Sequence, residues 1–329
     1  MEHSAQQTMS FRDEVMAEPG GEHLERCYSC GTCVSMCLIN QTCPDFNPRR
    51  VMHMVLLGMR KEVGENPTIW HCSACDLCYP HCPQGIHISE LMRAIKNVAL
   101  RHGFRSPLPS ASVDEELCSG CGICVKACPY GALTSVLKPI DGRERTVSHV
   151  DETLCMYCGI CAAACPLTAI TVEDYSSEKL ASQIQAGGWL EPRKRAEQEP
   201  RLLVLSCSWN LRAEADRAAL CQFPANVRVV TVPCSGRVDP VLVLSALHAG
   251  VDRVLVAGCE PGQCHFKQGT NISQGRLHVL QEMMAQMGAD RERVRFVQIG
   301  TDERGRLPSL IEAMLAETTE RAAAAPIVG

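Results

Sequence analysis

The sequence is poor in aromatic residues, which make up only 4% of its 329 positions. That is thin filling for conventional cores, so other material must supply part of the packing. No run of 18 apolar residues occurs, and even VLVLSALHAGVDRVLVAG is broken by His248, Asp252 and Arg253, so no membrane span is expected. The opening stretch MEHSAQQTMSFRDEVMAEPG has no apolar h-region, which argues against secretion and for a cytoplasmic chain with reduced thiols. No G-x-G-x-x-G opens a helix after a strand, and no H-E-x-x-H or serine–histidine arrangement appears; dinucleotide binding and the common hydrolytic chemistries thus lack their parts. Clustered basic charge is scarce as well. The formal net charge is −5, and the one dense cationic run, Pro192-Arg193-Lys194-Arg195, sits in a polar stretch that reads as solvated linker, so nothing suggests nucleic acid as a partner.

Cysteine is what the chain has in excess: 22 residues, about one in every fifteen. Such density fits a disulfide scaffold, zinc sites or iron–sulfur clusters, and the expected compartment removes the first. Four runs share the spacing C-x2-C-x2-C-x3-C: CYSCGTCVSMC from Cys27, CSACDLCYPHC from Cys72, CSGCGICVKAC from Cys118 and CMYCGICAAAC from Cys155. Three thiolates two residues apart wrap one face of a cubane, while the fourth reaches the neighbouring cluster. Pro83, Pro129 and Pro166 then turn the chain away. A structural zinc site asks instead for two C-x2-C pairs, four ligands per ion.

The rule assigns four 4Fe–4S clusters. Cys27, Cys30, Cys33 and Cys82 hold one, and Cys72, Cys75, Cys78 and Cys37 its partner. Cys118, Cys121, Cys124 and Cys165 hold the third, and Cys155, Cys158, Cys161 and Cys128 the fourth. Leu38 follows Cys37 whereas Pro44 follows Cys43; spacing favours Cys37 as ligand and leaves Cys43 a spare or buried free thiol. Gly31, Gly120, Gly122 and Gly159 let the backbone pass close to the sulfurs.

The expected organisation is a multi-domain chain of α+β and α/β class. Residues 1–106 form a helical two-cluster domain, because PRRVMHMVLLGMRKEV and ISELMRAIKNVALRHG carry apolar residues at helical spacing. Residues 107–175 form a small two-cluster ferredoxin domain with short strands, and 176–200 form a linker. From 201 to 329, LLVLSC, VRVVTVPC, VDRVLVAGC and VRFVQIG alternate with helical patterns at 211–221, 239–249, 275–288 and 307–316, which predicts a parallel sheet flanked by helices. Cys207, Cys234 and Cys259 fall at strand ends, with Cys264 just beyond, on the edge where such sheets place ligands. They suit one further metal centre, most simply 2Fe–2S, or a set of buried structural thiols. Cys221 reads as core, and His265 as a hydrogen-bonding neighbour.

CSWN at Cys207, CSGRVDP at Cys234 and AGCEPGQCHF ending at Phe266 make residues 203–315 resemble the delta iron–sulfur subunit of methyl-viologen-reducing hydrogenase. That resemblance implies one 2Fe–2S cluster on Cys207, Cys234, Cys259 and Cys264. Asn210 stands where many members have another cysteine. Residues 27–103, with CYSCGTC and WHCSACDLCYPHCPQGIHI, resemble the C-type subunit of heterodisulfide reductase, and the middle zone is similar to bacterial-type two-cluster ferredoxins. No CCG-type motif of that reductase's B-type subunit is present. Together the resemblances imply an electron-transfer subunit of a heterodisulfide-reductase-like complex, an assembly of a kind that often performs flavin-based electron bifurcation. It would relay electrons between a flavin-containing A-type subunit and a hydrogenase, a formate dehydrogenase or another reductase, such as one acting on a folate or a disulfide. The competing readings are a substrate site of its own and an iron–sulfur sensor.

Overall fold

A computed structural model describes residues 9–108, 110–190, 199–211, 223–300, 303 and 305–324. The backbone divides into two units, Met1–Leu108 and Pro109–Gly329. It is mixed helix and sheet, with small antiparallel pairs and one parallel sheet, as the predicted multi-domain α+β and α/β class requires.

The first unit is helical. Helix Pro48–Leu56 starts with proline at its first turn and Asn47 as cap, whose side-chain oxygen accepts from the Arg50 amide at 3.0 Å. Helix Ile88–Arg101 buries Ile88, Leu91, Met92, Ile95, Val98 and Ala99, the i, i+3, i+4, i+7 stripe of a helix with one apolar face. Helix Phe11–Met16 packs on both, inserting Phe11 and Val15. The cysteine loops at 27–37 and 72–82 join these helices rather than forming part of them.

In the second unit, β1 (Ala111–Val113) pairs antiparallel with β4 (Ile170–Val172). β2 (Leu133–Ile140) and β3 (Arg143–Val150) form a hairpin with Leu133 opposite Val150. It turns at Asp141 and Gly142, whose φ values of 50° and 74° are those of the tight turn that matches strand twist. The hairpin is longer than the short TSVL strand read from the sequence.

β5 (Leu202–Cys207), β6 (Val227–Val232), β7 (Arg253–Cys259) and β8 (Val294–Ile299) form the parallel sheet, in order β6-β5-β7-β8. All four predicted strands are present. The central β5 and β7 are buried throughout because helices cover both faces. Leu203 and Leu205 face Leu242, Val243, Leu277 and Leu280; Leu202 and Val204, pointing the other way, face Leu307, Ile311 and Met314. The strand order reverses between β5 and β7, the switch point at which open parallel sheets bind ligands beyond their carboxyl ends.

Helices Pro240–His248, Gly269–Gln286 and Arg306–Ala324 occupy the predicted stretches, the last two running longer than the apolar periodicity suggested. The helix predicted at 211–221 lies, except for Leu211, outside the described residues, as does Cys221. The segment read as linker from 176 holds helix Ser177–Gln185, and Leu180, Ile184 and Trp189 enter the core of the parallel sheet. Polarity suggested a linker there, but two leucine-type residues four apart are enough to dock one helix face.

Candidate metal centres

The four cysteine loops share one backbone solution. The residue before the second cysteine has a left-handed φ in every run: Ser29 at 63°, Ala74 at 47°, Gly120 at 71° and Tyr157 at 45°. So does the residue after it: Gly31 at 87°, Asp76 at 64°, Gly122 at 71° and Gly159 at 77°. Two such turns on either side of one residue curl the loop so that three thiols face inward. L-residues adopt this region at a cost of about 1–2 kcal/mol each, so Ser29, Ala74, Asp76 and Tyr157 mark strain concentrated at the loops.

Two of the predicted ligand sets line chambers. Cys27, Cys30, Cys33 and Cys82 line one such hollow, partly open to solvent, with Tyr28, Met52 and Ile86. Cys118, Cys121, Cys124 and Cys165 line another with Ser148 and Ile170. In each, three thiols come from one run and the fourth from the end of its neighbour. The other two sets are close enough to feel one another's charge. Burial first, then Cys72 and Cys75, push the Cys37 thiol up to about 12. Burial, then Cys155 and Cys128, push Cys161 up to about 12. Cys33 is likewise raised to about 11, by burial and then by Cys27, Cys30 and Cys82.

Buried, mutually repelling thiols are poor nucleophiles and poor acids when free, and become thiolates only against compensating positive charge. This donor set fits iron–sulfur clusters. Cys27, Cys72, Cys118 and Cys155 with their run partners would hold them, and clusters so bound supply one-electron storage and transfer. Thiols spread around a chamber suit a cluster better than a zinc ion with ligands at about 2.3 Å. Other donors already aim at the sulfurs: the Asn40 amide at 3.4 Å from Cys37 Sγ, the Ala111 amide at 3.5 Å from Cys155 Sγ, and the Ser148 hydroxyl at 3.0 Å from Cys124 Sγ. Cys43 lies 3.7 Å from His71 Nδ1.

A buried cation lies under the second run. Lys96 is enclosed, its Nζ donating to the carbonyls of Trp70 at 3.4 Å and Cys72 at 3.2 Å. Burial, opposed only in part by Cys72, holds its basicity below that of a free lysine.

At the switch point, Cys207 ends β5, Cys259 ends β7, Cys234 follows β6 and Cys264 lies on the next loop; all four are buried. The Cys264 thiol is held well below its usual range because the thiols of Cys234 and Cys259 and the amides of Thr270 and Phe266 donate to it. His265 stacks on Trp209, ring centroids 4.1 Å apart, and its Nδ1 lies 3.7 Å from Cys259 Sγ. Asn210 donates to the Gly258 carbonyl at 3.4 Å, so it supports the β7 end by hydrogen bonding. A Cβ on Gly269 would stand 2.1 Å from Cys234 Sγ, which is why the chain is bare there.

The loop of the fourth run packs directly on this site. Arg237, 1% exposed, lays its aliphatic stem over Gly159 and donates to the Tyr175 carbonyl at 2.8 Å and the Ser177 hydroxyl at 2.9 Å. Arg276 donates to the Gly236 carbonyl at 2.9 Å and to the Ile160 carbonyl at 3.3 Å. Tyr157 meets Phe266 edge-on at 6.0 Å. Lys96 and Arg276 do not stand out in the sequence, and Arg237 lies inside CSGRVDP, a motif that the resemblance singled out without giving that residue a role.

Comparison with known proteins places this geometry among relatives. Residues 202–320 match the family of the methyl-viologen-reducing hydrogenase delta subunit, and residues 23–86 and 110–169 each match a 4Fe–4S dicluster domain. The iron-sulfur D-type subunit of the F420-non-reducing hydrogenase of Archaeoglobus profundus is 38% identical over 109 residues, 32% of this chain and 80% of that protein. The A-type subunit of the ferredoxin:CoB-CoM heterodisulfide reductase of Methanosarcina mazei is 34% identical over 153 residues, 46% of this chain but 19% of that protein. The C-type subunit of the H(2):CoB-CoM heterodisulfide,ferredoxin reductase of Methanothermobacter marburgensis is 31% identical over 101 residues, 31% of this chain and 54% of that protein. The chain thus spans about half the length of that C-type protein and about a fifth of that A-type protein.

Proposed function

The chain belongs to the family of the methyl-viologen-reducing hydrogenase delta subunit, and from that premise we propose that it is the iron–sulfur wire of a heterodisulfide-reductase-like complex. It joins, in one polypeptide, segments similar to that delta subunit, to a C-type reductase subunit and to dicluster ferredoxins. The observation that carries the reading is the set of thiol-lined chambers built across paired runs, with a fifth thiol group at the sheet's switch point. On this reading the chain binds four 4Fe–4S clusters, and one 2Fe–2S cluster on Cys207, Cys234, Cys259 and Cys264. The protein's work is to hold the centres in sequence, bury them and set their electrostatics, while substrate chemistry stays with partner subunits. Those partners are a flavin-containing A-type subunit and a hydrogenase, formate dehydrogenase or other reductase, in a cytoplasmic complex capable of electron bifurcation. No helix of the described residues is long and apolar enough to cross a membrane.

Anaerobic iron and sulfide analysis of the isolated chain, with electron paramagnetic resonance (EPR) of the reduced state, tests this. About 18 iron atoms per chain are expected, sixteen of them in cubanes. Zinc in place of iron would end the proposal, and a value near 16 without a 2Fe–2S signal would remove the fifth centre. Anaerobic pull-down then identifies the donor and acceptor; recovery of no flavoprotein or oxidoreductase would contradict the partner assignment.

A further inference from the structure

We propose that Arg276 is the bridge that makes the site of Cys128, Cys155, Cys158 and Cys161 the direct redox neighbour of the site of Cys207, Cys234, Cys259 and Cys264. The inference rests on the proposed function in taking both sites to hold clusters. What it adds is the order of the relay and the residue that joins two of its members.

The route is continuous in the hydrogen bonds. The Ile160 carbonyl belongs to the peptide bond that begins Cys161, and it accepts from Arg276 Nη2 at 3.3 Å. The same guanidinium donates through Nη1 to the Gly236 carbonyl at 2.9 Å. The Gly236 amide then points at Cys234 Sγ, 3.4 Å away. One rigid, planar fork thus links the backbone of a fourth-run ligand to the residue whose amide caps a switch-point ligand. A planar guanidinium can hold two carbonyls at fixed separation, which a lysine ammonium cannot.

Packing enforces the approach. A Cβ on Gly236 would stand 2.7 Å from Ile160 Cγ1, and one on Gly159 would stand 2.6 Å from Arg237 Cδ. Both glycines are therefore bare on the facing surfaces of the two loops. Arg276 itself is carried on helix Gly269–Gln286, which starts with Gly269 against Cys234 Sγ, so the bridge is fixed to the switch-point site at its root. Tyr157 and Phe266 close the same contact from the side. The step so served moves one electron and no proton. The fourth-run site is oxidised by one electron as the switch-point site is reduced by one, and no covalent bond changes.

The test uses the full, iron-loaded chain under anaerobic conditions, reduced by a pulse of photochemically generated low-potential reductant and followed by rapid-freeze EPR. In the wild type, the 2Fe–2S signal rises as a 4Fe–4S signal decays, and the two reduced centres broaden each other magnetically. In Arg276→Lys, which keeps the positive charge, iron content and both reduction potentials stay near wild-type values. Arg276→Gln also removes a buried charge beside both sites, so its iron content stays but both potentials move more negative, and its rate is compared at matched driving force. Electron arrival at the 2Fe–2S centre slows on the order of tenfold, because neither side chain presents the fork. An unchanged rate in both fully loaded variants overturns the bridge. Absence of magnetic interaction in the loaded wild type overturns the adjacency without any variant. A wild type with no 2Fe–2S signal at all would instead fail the proposed function, and this inference with it.

Discussion

Arg237 occupies the space that a side chain on Gly159 would need: a Cβ there would lie 2.6 Å from Arg237 Cδ. Gly159 also holds φ at 77°. Substitution therefore meets two separate penalties, a left-handed backbone of about 1–2 kcal/mol and overpacking of about 1–3 kcal/mol. Gly122, the equivalent residue of the third run, has φ of 71° but nothing within 4 Å of its absent Cβ. Gly159→Ala is expected to destabilise the loaded protein by roughly 2–5 kcal/mol, and Gly122→Ala by only the backbone part. Anaerobic unfolding followed by cluster absorbance compares them. Equal losses would mean that Arg237 yields and the contact is soft.

Cys37 and Cys43 compete for one ligand position in the sequence, and the structure gives them different neighbours. Cys37 shares charge with Cys72 and Cys75 and receives the Asn40 amide, whereas Cys43 faces His71. Cys37→Ser is expected to lower iron content and perturb one cubane signal, while Cys43→Ser leaves iron and EPR spectra unchanged. Iron loss in Cys43→Ser with none in Cys37→Ser would exchange their roles.

Lys96 places a buried cation beneath the site of Cys72, Cys75 and Cys78, with both its carbonyl partners in the approach to that run. Reduction adds negative charge, which a nearby cation stabilises. A unit charge about 8 Å away at an effective dielectric of about 20 is worth roughly 2 kcal/mol. That corresponds to about 90 mV for one electron. Lys96→Met is therefore expected to move that cluster's potential more negative by this order in an EPR-monitored titration. A potential that stays put would show the amine to be neutral in the fold.

Much of this is legible in the chain because iron–sulfur spacing is local. Cys27 to Cys37 or Cys155 to Cys165 spells its loop within eleven residues, and β-branched runs such as VRVVTV announce strands by composition. The left-handed turns at Ser29, Ala74, Asp76 and Tyr157 are hidden, because only glycine advertises that conformation. The bridge from Arg276 to Ile160 spans 116 positions, and no local periodicity encodes a pairing at that distance. Helix Ser177–Gln185 escapes notice for a third reason: its charged exterior outweighs the two apolar residues that dock it.

The two kinds of core in the second unit should respond differently to loss of metal. Around the ferredoxin loops the buried clusters of residues are small and built partly from ligands: Cys124 and Cys161 pack with Leu133, Ile170 and Val172, and Cys118 with Val147 and Ala169. There, metal binding energy is folding energy. The parallel sheet instead buries β5 and β7 completely between two layers of leucine, valine and isoleucine, and its own thiols occupy only the carboxyl edge. Stripping iron from the full chain with an anaerobic chelator should therefore abolish amide protection in β1 to β4. Protection in β5 and β7 should persist, since local stability follows local apolar burial. Hydrogen exchange read by mass spectrometry resolves the two regions in one sample. Simultaneous loss of protection in both would show that the sheet, despite its larger core, depends on the centre at its edge.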